Sequence, residues 1–260
     1  MERRTALTFI AGLTMVGVPA VIAQVSSLND AINKAGHQRM LSQRMSKAYL
    51  ALGMDVATEK SQAVINESMA RFDRQLVELS AFAPRAEIKA TYSKLEAVWG
   101  QYKSQLVGQA PRRESVVALF DLDSKVLELA NQGVSQLEQL SAKPLGRLVN
   151  VAGRQRMLSQ RAAKFYLAQA WKASIPHADS EMQKARTEFA AALSALEQAP
   201  EATSAIRQEL DLARQQWVFF ELAMTYQGNA ARSIENVFVS SENVLSVMEK
   251  VTVMYARQTA

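Results

Sequence analysis

The chain has 260 residues, no cysteine and two histidines, and its 30 Lys and Arg against 25 Asp and Glu give a formal net charge of +5. The absence of cysteine excludes disulfides, thiolate metal sites and cysteine nucleophiles. His37 and His177 do not stand in a metal-binding spacing, which argues against a histidine-based metal centre. The mild basicity favours an anionic ligand but is too diffuse to indicate nucleic acid.

Residues 1–23 have the pattern of an export signal peptide. Arg3 and Arg4 form a positively charged start, a mostly apolar stretch covers residues 6–18, and a small-residue cleavage site ends at Ala23. The pattern predicts cleavage there and a periplasmic mature protein. An uncleaved anchor is the alternative, although the apolar run is short and interrupted by glycine and proline. No later segment is apolar over the length that a membrane span needs.

The rest of the chain has the composition of long helices, with Ala, Leu, Gln, Glu, Lys, Met and Arg dominating between breaks at Gly and Pro. This pattern predicts eight helices, at about 27–56, 59–81, 85–107, 112–141, 145–173, 177–198, 201–226 and 229–257. Four antiparallel helices joined by short loops make a four-helix bundle. The predicted fold is all-α, with two tandem four-helix bundles over residues 24–143 and 144–260. A single continuous helical array is the alternative.

One motif occurs twice. Residues 33–51 and 150–168 are identical at 14 of 19 positions, with a constant offset of 117, which indicates a tandem duplication. The most similar part is the polar block Gln-Arg-Met-Leu-Ser-Gln-Arg, although a helix that only had to pack could have drifted to other side chains of similar volume. The motif therefore indicates a site as well as packing. Aromatic residues at helical spacing in both halves are predicted to be core: Trp99, Tyr102, Trp217 and Phe220.

Each motif helix presents two stripes, because a helix advances ~100° per residue. An apolar stripe is predicted to face the helix's own bundle, and a second stripe to face another neighbour. Glycine inside a helix costs about 1 kcal/mol relative to alanine unless it lets a backbone or a ligand come close. We therefore expect the motif helices to lie side by side, with Gly36 near Gly153. The second stripes supply the candidate ligand-binding residues: Gly36, Arg39, Gln43, Gly153, Arg156 and Gln160.

The arginines of these stripes need an anion. A guanidinium removed from water must be paired, and the block around each arginine contains no acidic residue. Arg39 and Arg156 facing each other would repel unless an anion lay between them, and their planar N–H forks suit a small planar oxyanion. The alternative is that each arginine reaches a distant acid, such as Glu78, Glu96 or Glu128, or solvent.

The other polar residues of the motif are assigned supporting roles. Arg44 and Arg161 lie ~140° round the helix from the first pair of arginines and are predicted to be structural, bonded to an acid or a loop. Lys47 and Lys164 are interpreted as rim residues. No nucleophile–base pair, metal cluster or phosphate loop is visible in the sequence, so neither an enzyme nor a cofactor is predicted.

The motif resembles a known family. Residues 31–44 and their copy resemble the N-terminal sensor domain of type IV pili methyl-accepting chemotaxis transducers, the PilJ-type family, and are similar to the P-box of nitrate/nitrite sensor kinases. The resemblance implies periplasmic four-helix bundles and, in nitrate-sensing members, two helices that clasp one nitrate with an arginine from each at a dimer interface. The ligand arginine of that pattern falls on Arg39 and Arg156, and its glycine on Gly36 and Gly153.

Two tandem copies imply an intramolecular pseudo-dimer with one shared site, which His37 opposite Arg154 makes asymmetric. The predicted function is an exported binding or sensor protein for a small oxyanion, nitrate or nitrite first. A scaffold protein of the cell envelope that interacts with a membrane receptor or pilus system is the alternative. Because no kinase or methyl-accepting region is visible, the expected protein partner is a membrane receptor, a kinase or a transporter component, and no nucleic acid is expected.

Overall fold

The structure is a computed structural model that describes residues 24–141, 144–225 and 229–258. The predicted signal peptide, residues 1–23, lies outside the described residues. The described chain forms eight α-helices, with a short 3-10 turn at Arg113–Ser115 before the fourth. The helices are α1 (Leu28–Gly53), α2 (Thr58–Phe82), α3 (Ala86–Val107), α4 (Val116–Ser141), α5 (Pro144–Ala170), α6 (Ala178–Gln198), α7 (Ser204–Thr225) and α8 (Ala230–Arg257). The predicted all-α fold is confirmed.

Local sequence explains where the first and last helices begin. The Ser27 hydroxyl accepts the Asp30 N–H at 3.1 Å at the start of α1, and the Asn229 side chain accepts the Arg232 N–H at 3.1 Å at the start of α8. Such caps satisfy N–H groups that have no partner inside the helix. Within the described residues, no helix has the length and apolarity that a membrane span requires.

Each half of the chain is a four-helix bundle. In the first half α1 packs against α2 and α4, and α3 packs against α4; α5 to α8 repeat this arrangement in the second half. Stacked aromatic rings fill both cores. Phe72 lies on Trp99 with ring centroids 4.0 Å apart, and Phe189 lies on Trp217 at 3.7 Å. The prediction of an aromatic core is confirmed.

The two bundles are joined through the motif helices. α1 and α5 form the most extensive helix–helix contact of the described chain, and α1 also contacts α8 while α5 contacts α4. Nearly every residue of α1 from Ala31 to Ala51 is buried. The two-stripe interpretation was therefore too narrow, because α1 is surrounded by α2, α4, α5 and α8.

The two motif glycines lie where these helices meet. A Cβ atom built on Gly36 would stand 4.0 Å from the Cα of Gly153 and 3.0 Å from Nη2 of Arg156. The expected proximity of Gly36 and Gly153 is confirmed. A larger side chain at either position would separate the two bundles or displace an arginine, so the glycines fix the geometry of the contact.

We expect Gly36→Ala to lower the free energy of unfolding, by about 1–3 kcal/mol, because the added methyl group overpacks the contact and pushes on Arg156. Gly100→Ala is the matched control, since nothing lies within 4 Å of its added Cβ in the middle of α3. The control should gain up to about 1 kcal/mol from helix propensity. Urea denaturation of both variants measures the difference, and an equal gain in both would mean that the contact is loose.

Candidate functional site

Arg39 and Arg156 are both buried at the contact between α1 and α5, with exposed fractions of 1% and 0%. Each reaches across to the opposite helix. Nη2 of Arg39 donates to Oδ1 of Asn150 at 2.8 Å, and Nη2 of Arg156 donates to the backbone oxygen of Asn33 at 3.2 Å. Asn33 and Asn150 are equivalent in the repeat. The two arginines are therefore related by an approximate two-fold axis between the helices.

The guanidinium groups approach each other beside the glycines. The Cβ position of Gly36 is 3.0 Å from Nη2 of Arg156 and 3.6 Å from Nη2 of Arg39. We call Gly36, Arg39, Gly153 and Arg156 the arginine layer. Two like charges at this spacing, removed from water, raise the energy of the protein unless negative charge compensates them.

Within the described residues, only one arginine of the layer has a carboxylate partner. Nη1 of Arg156 donates to Oε2 of Glu249 on α8 at 2.6 Å. Nη1 of Arg39 donates instead to the neutral Oδ1 of Asn131 on α4, at 3.2 Å. Asn131 lies 118 residues before Glu249, the offset that also relates Trp99 to Trp217, so Asn131 and Glu249 are repeat equivalents.

Arg39 is therefore a buried cation without an ion pair to any residue in the described ranges. Its Nε has no hydrogen-bond partner there. Burial lowers the pKa of Arg39 to about 9, and repulsion from Arg154 and Arg156 adds to this, while Glu138 opposes it. Glu138 accepts a hydrogen bond from Asn150, which in turn accepts from Arg39, so Glu138 does not contact the guanidinium directly.

The alternative of pairing with a distant acid holds for Arg156 and not for Arg39. The acid is Glu249, which is none of the three considered from the sequence. Glu78 pairs with Lys34 at 2.9 Å, and Glu128 lies at a surface cleft. The site is thus asymmetric in charge.

His37 completes the surroundings of Arg156. Its Nε2 lies 2.7 Å from Oε1 of Glu249 and 2.6 Å from Nη1 of Arg156, and its Nδ1 lies 3.0 Å from Nε2 of Gln75. Burial and then Arg156 lower the pKa of His37 to about 4, against the effect of Glu249. Although burial alone raises the pKa of Glu249, Arg156 and His37 hold it well below its usual range. His37 is therefore neutral, with a proton on Nε2 for Glu249 and a lone pair on Nδ1 for Gln75.

We expect this histidine to make the fold acid-sensitive. Its pKa is about 4 in the folded chain, against the 6.5 of an ordinary histidine side chain. The unfolded chain thus binds more protons as the pH falls below 6.5, and stability drops by ~1.5 kcal/mol between pH 6.5 and 5. His37→Gln should flatten this part of the stability–pH curve, measured by urea denaturation. His177→Gln is the control, because His177 is exposed; an unchanged slope in His37→Gln would contradict the assignment.

Gln43 and Gln160 lie one turn beyond the arginine layer. Nε2 of Gln43 donates to Oδ1 of Asp123 at 2.7 Å, and Nε2 of Gln160 donates to the backbone oxygen of Ser241 at 2.9 Å. Both glutamine side chains are buried. Their bonds hold α4 and α8 against the motif helices, so these two candidates border the site from a second layer.

The rim interpretation of Lys47 and Lys164 is wrong, because both are buried, at 0% and 1% exposed. Nζ of Lys164 lies 2.5 Å from Oδ2 of Asp123, and Nζ of Lys47 lies 2.7 Å from Oε1 of Glu242. Burial lowers the pKa of both lysines to about 8, against the effect of these carboxylates. Each lysine reaches the other half of the chain. The retention of lysine at the same place in both copies was the sequence signal for this role.

Arg44 and Arg161 have the structural role predicted for them. Nη2 of Arg44 donates to Oε2 of Glu242 at 2.6 Å, and Nη2 of Arg161 donates to Oε2 of Glu181 at 2.6 Å. Neither acid belongs to the arginine layer. These pairs fasten α1 to α8 and α5 to α6.

A cleft of about 270 Å³ opens from solvent between α4, α5 and α6. Its lining includes Asn131, which accepts from Arg39, and therefore reaches the edge of the arginine layer. On the opposite side of the layer, the equivalent position holds His37 and Glu249. The cleft is lined by charges of both signs, among them Arg154, Arg161, Lys184 and Glu188.

Comparison with known proteins finds a family in both halves. The family model described as "Type IV pili methyl-accepting chemotaxis transducer N-term" matches residues 20–121 and 140–237. The methyl-accepting chemotaxis protein McpN of Pseudomonas aeruginosa is 30% identical over 142 residues, which are 51% of this chain and 26% of that protein. The chain thus spans about a quarter of the length of this curated relative. No solved structure shows a significant match.

Proposed function

The chain belongs to the family of type IV pili methyl-accepting chemotaxis transducer N-terminal domains, and we propose that it binds a small planar oxyanion, nitrate or nitrite first, in the arginine layer. A sensory role follows from membership of that family, and the proposal adds the ligand. The observation that carries it is Arg39, a fully buried guanidinium with no carboxylate partner among the described residues. A buried charge of this kind is costly unless an anion completes it.

The geometry suits a small ligand. Arg39 offers an unpartnered Nε, and its Nη2 faces the Nη2 of Arg156 across the glycines. A planar anion accepts parallel N–H bonds from a guanidinium fork, which are shorter and stronger than neutral hydrogen bonds. Because Gly36 and Gly153 have no side chains, Nη2 of Arg156 lies only 3.0 Å from where either Cβ atom would stand. Such close packing favours a ligand of a few atoms over a larger metabolite.

The cleft between α4, α5 and α6 supplies the route of entry. Asn131 stands at its inner end and contacts Arg39. Its walls carry three cations and three carboxylates, and Arg154 and Arg161 are paired with Glu188 and Glu181, so the cleft offers access without a net positive charge. The opposite side of the layer is occupied by His37, Gln75 and Glu249. The cleft and the arginine without an ion pair among the described residues thus lie on the same side of the layer.

We further propose that the chain works in the periplasm and passes ligand occupancy to a membrane receptor, a kinase or a transporter component. The relative in Pseudomonas aeruginosa is named a methyl-accepting chemotaxis protein. Ligand bound between α1 and α5 stabilises one arrangement of the two bundles over others, and a partner that contacts both bundles responds to that shift.

Ligand-dependent stability tests the proposed function. The purified protein is unfolded by heat in nitrate, nitrite or chloride at equal ionic strength. A binder gains RT ln(1 + [L]/Kd), about 2.7 kcal/mol at a hundred times Kd, whereas a scaffold gains nothing. We expect stabilisation by nitrate or nitrite above that by chloride. Equal curves in all three salts would leave the envelope scaffold as the better account.

Blocking the cleft should slow ligand entry. Ser124 is exposed at the cleft, and Ser124→Trp places an indole in a space of about 270 Å³. We expect the association rate for nitrate to fall by roughly tenfold while the dissociation rate falls similarly, because a gate changes access more than affinity. Ser104→Trp on the exposed face of α3 is the control. Stopped-flow fluorescence measures both, and identical rates would place the entrance elsewhere.

A further inference from the structure

We propose that Glu249 determines the charge selectivity of the site: its carboxylate neutralises Arg156, so that the arginine layer keeps one unpaired positive charge and accepts monovalent in preference to divalent anions. This inference rests on the proposed function of the arginine layer. It assigns to α8 a residue that acts on the ligand without belonging to the repeated motif.

The repeat supplies the internal comparison. Asn131 and Glu249 occupy equivalent positions, and each accepts from Nη1 of the arginine beside it. At the residue that accepts from Nη1, the two neighbourhoods share their geometry and differ by one charge. They also differ where Arg154 stands in place of His37, but Arg154 is paired with Glu188. Duplication produced two equal arginines, and the difference on the fourth helix of each half gives a carboxylate partner to one of them.

Glu249 is held firmly in this role. Its carboxylate lies 2.6 Å from Arg156 and 2.7 Å from His37. Arg71 is a weaker neighbour, since it stands 3.9 Å away and is 43% exposed. Burial keeps His37 neutral, so the negative charge of Glu249 neutralises mainly the positive charge of Arg156. An incoming anion meets an Arg156 that is already paired.

The charged groups around Arg39 in the described ranges leave its positive charge without a direct carboxylate partner. Arg154 is paired with Glu188 at 2.6 Å, which reduces its repulsion of Arg39 without removing it. Glu138 is partly exposed and bonded to Asn150. Arg39 remains the cation that a ligand completes. One negative charge balances it, whereas a second would lie unpaired in a desolvated site beside the Glu249 carboxylate.

Two probe ions of the same shape but different charge test whether the site selects by charge. Chlorate and sulfite are both pyramidal anions with three oxygens, and at mildly alkaline pH sulfite is mostly the dianion. The chain has no cysteine with which sulfite could react. Isothermal titration of the purified protein with each ion gives a chlorate-to-sulfite affinity ratio that reports on charge, and nitrate serves as the positive control.

The first variant is Glu249→Asn, which copies the residue at the equivalent position of the first half. We expect the chlorate-to-sulfite ratio to shift toward sulfite by on the order of tenfold or more, because two arginines are then unpaired. Glu197→Asn on the surface of α6 is the control and should keep the original ratio. An unchanged ratio in Glu249→Asn, with nitrate still bound by the unaltered protein, would overturn the charge assignment and leave the proposed function standing.

The second variant keeps the Glu249 contacts intact. Asn131→Glu places a carboxylate beside Arg39 as Glu249 stands beside Arg156, and we expect nitrate affinity to fall by at least about tenfold. Normal nitrate affinity in this variant would also overturn the inference. If the unaltered protein and Glu249→Asn both bind none of the three ions, the proposed function fails and the inference falls with it.

Discussion

Replacing Arg39 with alanine is expected to abolish most nitrate binding while leaving the fold intact. A charge-assisted contact to a partly dry ligand contributes about 1.5–3 kcal/mol, which is roughly 10- to 150-fold in Kd. Arg39 has no ion pair among the described residues, so its removal strands no carboxylate. Losing a buried cation also relieves repulsion with Arg156. Titration calorimetry with nitrate and urea denaturation measure the two effects separately.

Arg156→Ala gives the informative contrast. Nitrate binding should weaken as well, but stability should fall because Glu249 loses its arginine partner. Glu249 is 30% exposed, so water moderates this loss. Arg44→Ala serves as the control for removing a motif arginine outside the layer and should retain nitrate affinity. If Arg39→Ala binds nitrate as well as the unaltered protein does, the ligand lies elsewhere.

Much of the fold can be predicted from the sequence because helix-breaking residues clearly separate the helical segments. Helix boundaries follow from Gly, Pro and capping residues, which act on the chain locally. The approach of Gly36 to Gly153 could also be predicted. Glycine weakens a helix, and yet both copies of the motif have one at the same position. A close contact between the two helices is the simplest reason.

The partners of the arginines could not be predicted. Asn131 and Glu249 lie more than ninety residues from the arginines that they contact. Which turn of α4 or α8 faces the layer depends on the relative shift of packed helices, and periodicity alone leaves that shift open. The repeat held a usable signal, since an acid and an amide at equivalent positions must affect two equal arginines differently.

The buried lysines escaped prediction for another reason. Lysine is almost never fully buried unless paired, and its long side chain normally places the charge in water. Lys47 and Lys164 are buried because α1 and α5 are surrounded on all sides and acids from the opposite halves reach them. The motif helix thus carries two charged layers. The arginine layer lacks one counter-charge. The second layer, which we call the lysine layer, consists of Lys47, Lys164, Asp123 and Glu242, and each of its lysines has a carboxylate partner.

The lysine layer should therefore have the largest effect on stability. Asp123 is 0% exposed and accepts from both Lys164 and Gln43. Asp123→Ala leaves Lys164 buried and unpaired, and removing one partner of a buried pair typically costs about 3–5 kcal/mol. We expect a loss of that size in urea denaturation. Because Lys164 joins the second bundle to the first, the loss should also weaken the contact between the bundles.

Two further variants show whether the unpaired charge causes this loss. Adding Lys164→Met to Asp123→Ala removes the stranded cation, and we expect the double variant to recover a large part of the stability. Glu197→Ala breaks the surface pair with Arg214, which is half exposed, and should cost no more than about 1 kcal/mol. A double variant as unstable as Asp123→Ala alone would show that the aspartate acts through its bond to Gln43 or through packing. In that case the lysine would contribute nothing to joining the bundles through its charge.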